Sequence, residues 1–179
     1  MQVRVLIPYS LDKNLGKAYN ESMRLIPDGD AACFIDYDVQ FLTPDAIRII
    51  HNYYSENPDS LLTCLTNRVS QYSFKQLLGG KISEDADIRN HIALAESQKS
   101  KLYRTTRILR DISGMLMVVP KSLWLQHPIP ENGQCLGVDT MYGRQLLAAG
   151  KKILRMDGLY VFHAYRLMNG VKNKNHLLV

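Results

Sequence analysis

Short apolar runs alternate with helical repeats along this chain, and this alternation predicts an α/β fold. One run, residues 31–35, contains only apolar residues, so we expect a strand that is buried on both faces of a sheet. Further strands are predicted at residues 3–7, 61–65, 113–119 and 159–162. The pattern favours a single domain over residues 1–179, with a mainly parallel sheet flanked by helices and a loose tail from about residue 169 to 179.

Cap and turn residues indicate where the predicted helices begin. Asp12 and Asn14 can cap the first helix, and Thr43-Pro44 is typical of the start of the second. Asp139 sits at the start of the last predicted helix, a position that aspartate fills well as an N-cap.

The segment from about residue 69 to 110 has a different character. A helix is predicted to open at residues 83–85, with Ile88, Ile92 and Ala95 on one side. We interpret the segment as a helical insertion over the sheet edge, either a mobile lid or an element that binds an acceptor. A plain structural helix pair is the alternative.

Composition and charge narrow the class of protein. The chain has 179 residues and a formal net charge of +5, which suggests an anionic partner such as a nucleotide diphosphate, an anionic membrane face or nucleic acid. The basic residues are scattered, so nucleic acid is disfavoured and phosphate is preferred, with peripheral membrane association left open. No apolar run approaches the roughly 20 residues of a membrane span, and no leader precedes the first strand, so we expect a cytoplasmic protein. The three cysteines are far apart and suggest neither a disulfide framework nor a zinc cluster.

Two acids follow directly after the apolar run. Asp36 and Asp38 are separated by one residue and would leave the strand at the sheet edge where open α/β folds bind ligands. Such a pair of carboxylates can hold a hard divalent ion such as Mg²⁺ or Mn²⁺. The alternative is a polar strand end that faces water.

Several motifs occur in a characteristic order on both sides of these acids. They are Val5-Leu6-Ile7-Pro8-Tyr9, Asn14-Leu15-Gly16-Lys17-Ala18-Tyr19-Asn20, Gly29-Asp30, Asp36-Tyr37-Asp38, Thr43-Pro44, a Gly-led strand from Gly114 before a helix with Trp124, and Asp139, Gly143, Leu146 and Gly150 at fixed spacing. In this order they resemble the family-2 glycosyltransferases of the GT-A fold, which transfer a sugar from a nucleotide-diphosphate donor. The resemblance covers most of the chain apart from the insertion and the tail, and it implies a GT-A-like fold.

The resemblance implies a metal site and a general base. Asp36 and Asp38, joined by His163 at the end of the last predicted strand, would hold Mn²⁺ or Mg²⁺. Asp139 would accept the proton of the acceptor hydroxyl in an inverting displacement. His163 can instead be an ordinary core or surface residue, and Asp139 a simple helix cap. A retaining enzyme would not need this base, so the stereochemistry stays open.

The resemblance also implies a nucleotide-diphosphate sugar as donor and a glycan or small molecule as acceptor. The candidate donor-binding residues are Pro8, Tyr9, Asp12, Asn14, Lys17, Asp36 and Arg166. The candidates for contact with the sugar or acceptor are Asn67, Arg68, Gly114 and Trp124. Ordinary packing, loop polarity or a solvated charge is the alternative for these side chains.

Two departures from the family pattern leave other functions open. Only residues 10–13 fill the gap where the family has a helix, a strand and a nucleotide-contacting acid, so the nucleobase half of the donor site is shortened. The family's Glu-Asp pair appears as Val138-Asp139. The competing hypotheses are a non-catalytic module that binds sugar nucleotides or carbohydrate, and a nucleotidyltransferase that uses the same Asp pair.

Overall fold

The fold of residues 1–165 is built on a seven-stranded sheet. The structure is a computed structural model that describes these residues, except for the side chain of Gln71. The strands are β1 (Val3–Leu6), β2 (Ala31–Ile35), β3 (Val39–Phe41), β4 (Leu61–Thr66), β5 (Thr105–Arg107), β6 (Leu116–Pro120) and β7 (Ile153–His163). The α-helices are α1 (Leu15–Arg24), α2 (Ala46–Glu56), α3 (Ile88–Gln98), α4 (Lys121–Gln126) and α5 (Val138–Ala148). Short 3₁₀ helices cover Gln71–Gln76, Leu78–Gly80 and Lys99–Lys101.

The sheet is mixed rather than mainly parallel. Its spatial order is β1-β2-β6-β4-β7-β3, and β5 also pairs with β7. Strands β1, β2, β4 and β7 run in one direction, whereas β3, β5 and β6 run against them. The predicted single α/β domain is confirmed, but the expected strand direction holds for only those four strands.

The direction of β6 follows from where the chain enters the sheet. The backbone N–H of Asp36 donates to the carbonyl of Met115 at 3.0 Å, so the segment before β6 lies beside the carboxyl end of β2. From that edge β6 runs back along β2 in the antiparallel direction. As a consequence the residues just before β6 lie at the same edge as the residues just after β2, β4 and β7.

Both faces of the sheet are covered, and β2 is therefore buried along its whole length, as predicted. On one face α2 packs in a cluster that includes Cys33 and Ile35 of β2. On the other face α1, α4 and α5 contribute to a second cluster, which takes Ala32 and Phe34. This two-sided burial places the end of β2 in the middle of the domain.

The cap prediction holds at the first helix and fails at the second. Asn14 caps α1, since its side-chain oxygen accepts the backbone N–H of Lys17 at 3.2 Å. In contrast, α2 has Asp45 at the cap position and starts at Ala46. The carbonyl of Thr43 accepts the N–H of Ala46 in a turn, so the start predicted at Thr43 is wrong.

The insertion does not form a helix pair. It contains 3₁₀ segments, α3 and β5, and β5 is hydrogen-bonded to β7 along its length. The helix starts at Ile88 rather than at residues 83–85, and Ile88 and Ile92 are 36% and 40% exposed, so the predicted inner face is wrong for them. His91 lies inside instead, because its Nδ1 is hydrogen-bonded to the hydroxyl of Tyr160 on β7 at 2.7 Å. Arg166 and the predicted tail lie outside the described residues.

A close contact between α1 and the loop after α4 gives a prediction on stability. A Cβ at Gly16 would lie 2.0 Å from the carbonyl oxygen of Pro130, and that backbone atom cannot move alone. We expect Gly16→Ala to lower the free energy of unfolding by about 3 kcal/mol or more, as overpacking does. Gly143→Ala on α5 is the matched control, since the atoms nearest to its Cβ would belong to side chains, those of Ile112 at 3.2 Å and Ile153 at 3.7 Å. Urea unfolding with equal midpoints for the two variants would contradict this.

Candidate functional site

Asp36, Asp38 and His163 come together at the carboxyl edge of the sheet. A tight turn after β2, closed by the N–H of Val39 on the carbonyl of Asp36 at 3.1 Å, sends the chain into β3. Strand β3 pairs with β7 in the register Val39↔His163, which brings the histidine beside the two acids. His163 Nε2 lies 3.3 Å from Asp38 Oδ1 and 3.9 Å from Asp36 Oδ2. We call these three residues the DDH cluster.

The orientation of the His163 ring leaves Nε2 as the atom that faces the carboxylates. Its Nδ1 lies 2.7 Å from the carbonyl oxygen of Arg68, which can only accept a hydrogen bond, so Nδ1 carries the proton. With a proton on Nε2 as well, this atom can donate to Asp38; without one, it offers its lone pair to the space between Asp36 and Asp38. This backbone bond on the far nitrogen is the arrangement that fixes metal-binding histidines.

Asn67 and Arg68 hold the histidine rather than facing a ligand. Both are buried, at 1% and 3% exposure. The Asn67 Oδ1 accepts the backbone N–H of His163 at 2.8 Å. The Arg68 guanidinium donates to the carbonyls of Tyr165 and Ser83, at 3.0 and 3.1 Å. The structure therefore does not bring these two side chains to an open surface, where a sugar or acceptor would contact them.

The pKa values of the two carboxylates shift in opposite directions. Burial raises the pKa of Asp36; the charge of His163 opposes this, and the charges of Asp38 and Asp139 add to it. Burial also acts to raise the pKa of Asp38, but the hydrogen bond from His163 and its charge outweigh it and hold that pKa below its ordinary value. A cation between the acids would relieve their repulsion.

A cavity of about 660 Å³ opens in front of the cluster. Asp36 and His163 line it, and so does Asp139 near the start of α5. The Asp139 carboxylate accepts the backbone N–H of Gly114 at 2.6 Å and that of Thr140 at 2.8 Å. Burial raises the pKa of Asp139, and these two hydrogen bonds only partly offset it.

Gly114 is part of the cavity wall, and its lack of a side chain makes room for Asp139. A Cβ at Gly114 would lie 3.0 Å from the Cβ of Asp139, which is tighter than ordinary packing. Gly114 reaches this edge because β6 runs antiparallel to β2. The sequence resemblance named both residues, and the fold places them in hydrogen-bond contact.

Several predicted donor residues lie outside this cavity. Asp12 and Lys17 form an exposed ion pair of 3.2 Å, and with Tyr9 they line a separate small cavity of about 280 Å³. Pro8 precedes that small cavity and lines neither of the two. The side-chain oxygen of Asn14 caps α1. Asn14 does not line the large cavity, although Leu15 after it does.

Trp124 is also remote from the cluster. Its indole N–H donates to Asn20 Oδ1 at 2.8 Å, and the Lys121 ammonium lies over its ring at 4.6 Å. Asn20 in turn donates to the carbonyl of Ile129 at 2.8 Å, so these residues fix the loop after α4. The position of Trp124 thus indicates packing rather than contact with an acceptor.

Sequence reasoning missed a large part of the cavity wall. The lining residues that it did not single out include Tyr19, Ser70, Tyr72, Ser73, Asp111, Ser113, Leu136, Thr140 and Arg144. Tyr19 could have been singled out, because it lies inside the Asn14–Asn20 motif. The others lie in loops, 3₁₀ turns or helix positions with no motif around them, and no pattern in the sequence marked them.

The comparisons with known proteins add no relative. No protein-family model matches the chain, and a search of curated proteins finds no match either. Within residues 1–165 no helix has both the length and the apolar character that crossing a membrane requires. The argument on function therefore rests on the geometry of the site and on the order of the motifs.

The DDH cluster fits a divalent cation by the chemistry of its donors. One ligand atom from each residue lies within 4.8 Å of the other two. Two carboxylates and one neutral imidazole suit Mn²⁺, and the oxygens alone suit Mg²⁺. The cluster borders a cavity large enough for a small-molecule ligand, and the wall of that cavity also carries the carboxylates of Asp111 and Asp139.

Proposed function

We propose that this chain is a metal-dependent glycosyltransferase of GT-A-like fold, which moves a sugar from a nucleotide-diphosphate sugar to the hydroxyl of a glycan or small-molecule acceptor. One observation carries the proposal. A single cavity joins the DDH cluster to Asp139, a carboxylate held on a different element. Metal binding and proton abstraction, the two requirements of the reaction, would therefore have separate residues in the same space.

Asp36, Asp38 and His163 would hold the cation, Mn²⁺ or Mg²⁺. When bound, the ion supplies positive charge that neutralises the diphosphate as it becomes the leaving group. The protein's own contribution is orientation: the carbonyl of Arg68 fixes the His163 ring, and Asn67 fixes its backbone. This preorganisation means that the ligands need not reorder when the donor arrives.

Asp139 would act as the general base toward the acceptor hydroxyl. Its two oxygens already accept backbone N–H groups from Gly114 and Thr140, which fixes the carboxylate in the wall of the cavity. Burial raises its pKa, and a raised pKa makes the carboxylate a stronger base. An inverting displacement needs a base that takes the proton of the attacking hydroxyl, and Asp139 would supply it.

The competing function is a module that binds sugar nucleotides without transfer. One observation favours it: Tyr9, Asp12 and Lys17, the residues expected to contact the donor, line a cavity other than the one at the DDH cluster. A donor bound only at the DDH cluster would have few protein residues in contact with its nucleobase. The two proposals agree on the metal site and differ on turnover.

A screen of sugar nucleotides with Mn²⁺ tests the proposal. We expect at least one of them to stabilise the protein against heat and to release its nucleoside diphosphate when an acceptor mixture is added, and excess EDTA should abolish both effects. Metal-linked binding without release would favour the binding module. Pyrophosphate release from a nucleoside triphosphate would instead indicate nucleotidyl transfer, and full activity in EDTA would contradict the metal role.

A further inference from the structure

A second cavity adjoins the first one and has none of the DDH cluster in its wall. It has a volume of about 540 Å³ and is lined by Tyr72, Phe74, Arg110 and Asp111. Tyr72 and Asp111 also line the first cavity, so the two form one groove. The groove is larger than a single transferred sugar needs.

Asp111 links the second cavity to the space that the proposed base lines. It lines both cavities, and Asp139 lines the first one. An acceptor that presents its hydroxyl to Asp139 would extend into this second space.

Two positive charges lie close to the Phe74 ring of the second cavity; Arg110 lines the cavity itself, whereas Lys75 is only a neighbour of that ring. The Arg110 guanidinium carbon lies 5.5 Å from the centre of the Phe74 ring, and the Lys75 ammonium lies 5.2 Å from it. Within residues 1–165 neither cation has a carboxylate partner at ion-pair distance. Asp111 does not compensate them, because both of its oxygens are bound by Arg144 at 2.8 and 2.7 Å. The cavity therefore has an excess of positive charge.

The wall that carries these groups is held firmly to the sheet. Gln76 is fully buried, and its amide donates to Thr63 Oγ1 at 2.6 Å and accepts the backbone N–H of Ser113 at 2.7 Å. Arg155 of β7 donates to the carbonyl of Lys75. Tyr72, on the same 3₁₀ helix, is 59% exposed and offers a ring to the groove. The backbone that carries the aromatic rings is therefore preorganised for a ligand.

We propose that this second cavity is an acceptor subsite for a saccharide that carries an acidic group. The acidic group pairs with Arg110 and Lys75, and a sugar ring packs on Tyr72. The inference rests on the proposed function only in calling the bound saccharide the acceptor. Binding of the saccharide does not require turnover. A carboxylate on a uronic acid and a phosphate or sulfate ester on a sugar share this chemistry, and the planar Arg110 fork suits each of them.

The test compares matched pairs of oligosaccharides without any donor present. The probes are uronic-acid oligosaccharides of several linkages with their neutral methyl esters, and phosphorylated oligosaccharides with their unphosphorylated forms, titrated by calorimetry at 0.15 M salt. We expect an acidic member to bind at least about tenfold more tightly than its neutral partner, the range of a hydrogen bond to a charged group. Comparison of the uronic-acid probes with the phosphorylated probes shows which acidic group the subsite prefers.

Arg110→Gln and Lys75→Gln should each remove most of that preference. Arg107→Gln is the matched control, because Arg107 is an exposed cation on β5 that lines neither cavity and, unlike Arg110 and Lys75, does not lie over the Phe74 ring. Equal loss in the control would mean that the net charge of the protein, not the subsite, attracts the acids. That result, or no preference for any acidic probe in the wild-type protein, would overturn the inference. So would weakened nucleotide binding in Arg110→Gln with saccharide binding unchanged, since this would assign Arg110 to the donor.

The outcome is separable from that of the proposed function. Failure of the function is the absence of metal-linked sugar-nucleotide binding or of transfer, measured without these probes. Failure of the inference is the absence of a charge-dependent saccharide preference that Arg110 and Lys75 control. Preference for an acidic saccharide without transfer would uphold the subsite and reject the enzyme.

Discussion

Asp38→Ala is expected to abolish Mn²⁺ binding and to lower sugar transfer by at least about 100- to 1,000-fold, the range for loss of one charge-stabilising group. Asp38 is the carboxylate nearest to His163, at 3.3 Å, and its pKa is held below its ordinary value, so it is a charged ligand at neutral pH. Without it, the cluster keeps one carboxylate and one imidazole, too few to hold a hard cation firmly. The measurements are initial rates at saturating Mn²⁺ and a direct metal titration.

Asp59→Ala is the control for that loss. Asp59 is exposed and precedes β4, so it lies at the opposite edge of the sheet from the cluster. Its replacement should leave both metal binding and transfer unchanged. The metal role would be contradicted if Asp38→Ala kept its rate within a factor of three of wild type, or bound Mn²⁺ as well as wild type does.

Asp139→Asn is expected to lower kcat by about 100- to 10,000-fold while metal and donor binding persist. Asparagine keeps one oxygen that can accept the N–H of Gly114, now bonded to Asp139 at 2.6 Å, but its NH₂ group cannot accept the N–H of Thr140, so thermal unfolding and metal binding are compared with wild type first to show that the variant is folded. The amide cannot accept a proton from the acceptor. Kinetics at saturating donor and acceptor separate this effect from a change in KM.

The pH profile distinguishes a base from a structural carboxylate at this position. A general base works when ionised, so the rate should rise with pH through the pKa of Asp139. Because burial raises that pKa, we expect the acidic limb of the profile to lie above the ordinary aspartate value of about 3.9. Gly114→Ala, whose Cβ would press on Asp139, should lower the rate without removing the limb. An unchanged kcat in Asp139→Asn would remove the base role and favour a retaining reaction.

The sequence predicts where the strand before Asp36 and Asp38 ends, because the signals there are local. The apolar run of β2 ends at Ile35, and the acids come directly after it, so the strand end and its carboxylates could be placed together. His163 could be named because it follows an apolar strand, although β7 begins at Ile153, earlier than predicted. These features need no knowledge of distant contacts.

The sequence does not predict the features that depend on tertiary contacts. β3 and β5 have three residues each, and both exist because long β7 offers them a partner. The direction of β6 depends on the approach of Met115 to Asp36. On α3, the bond of His91 to Tyr160 decides which face is buried, against the simple hydrophobic pattern.

The second cavity could not be predicted from the sequence for a similar reason. Tyr72 and Phe74 lie on a 3₁₀ helix, whose short repeat gives no periodic apolar signal. Arg110 is distant from them in sequence and reaches Phe74 only in the folded chain. Tyr72, Phe74 and Arg110 all lie in the predicted insertion, residues 69–110. That they line one cavity depends on the folded structure and has no signal in the sequence.

A titration of Mn²⁺ with the full chain, followed by the loss of free Mn²⁺ signal in electron paramagnetic resonance, tests the central claim most directly. The account predicts one tight Mn²⁺ per chain, bound more tightly when uridine or guanosine diphosphate is present, and lost in Asp38→Ala. Linkage requires the converse as well, so the nucleotide should bind more tightly with Mn²⁺ than in EDTA. No saturable Mn²⁺ binding, or equal nucleotide affinity with Mn²⁺ and with EDTA, would contradict the account.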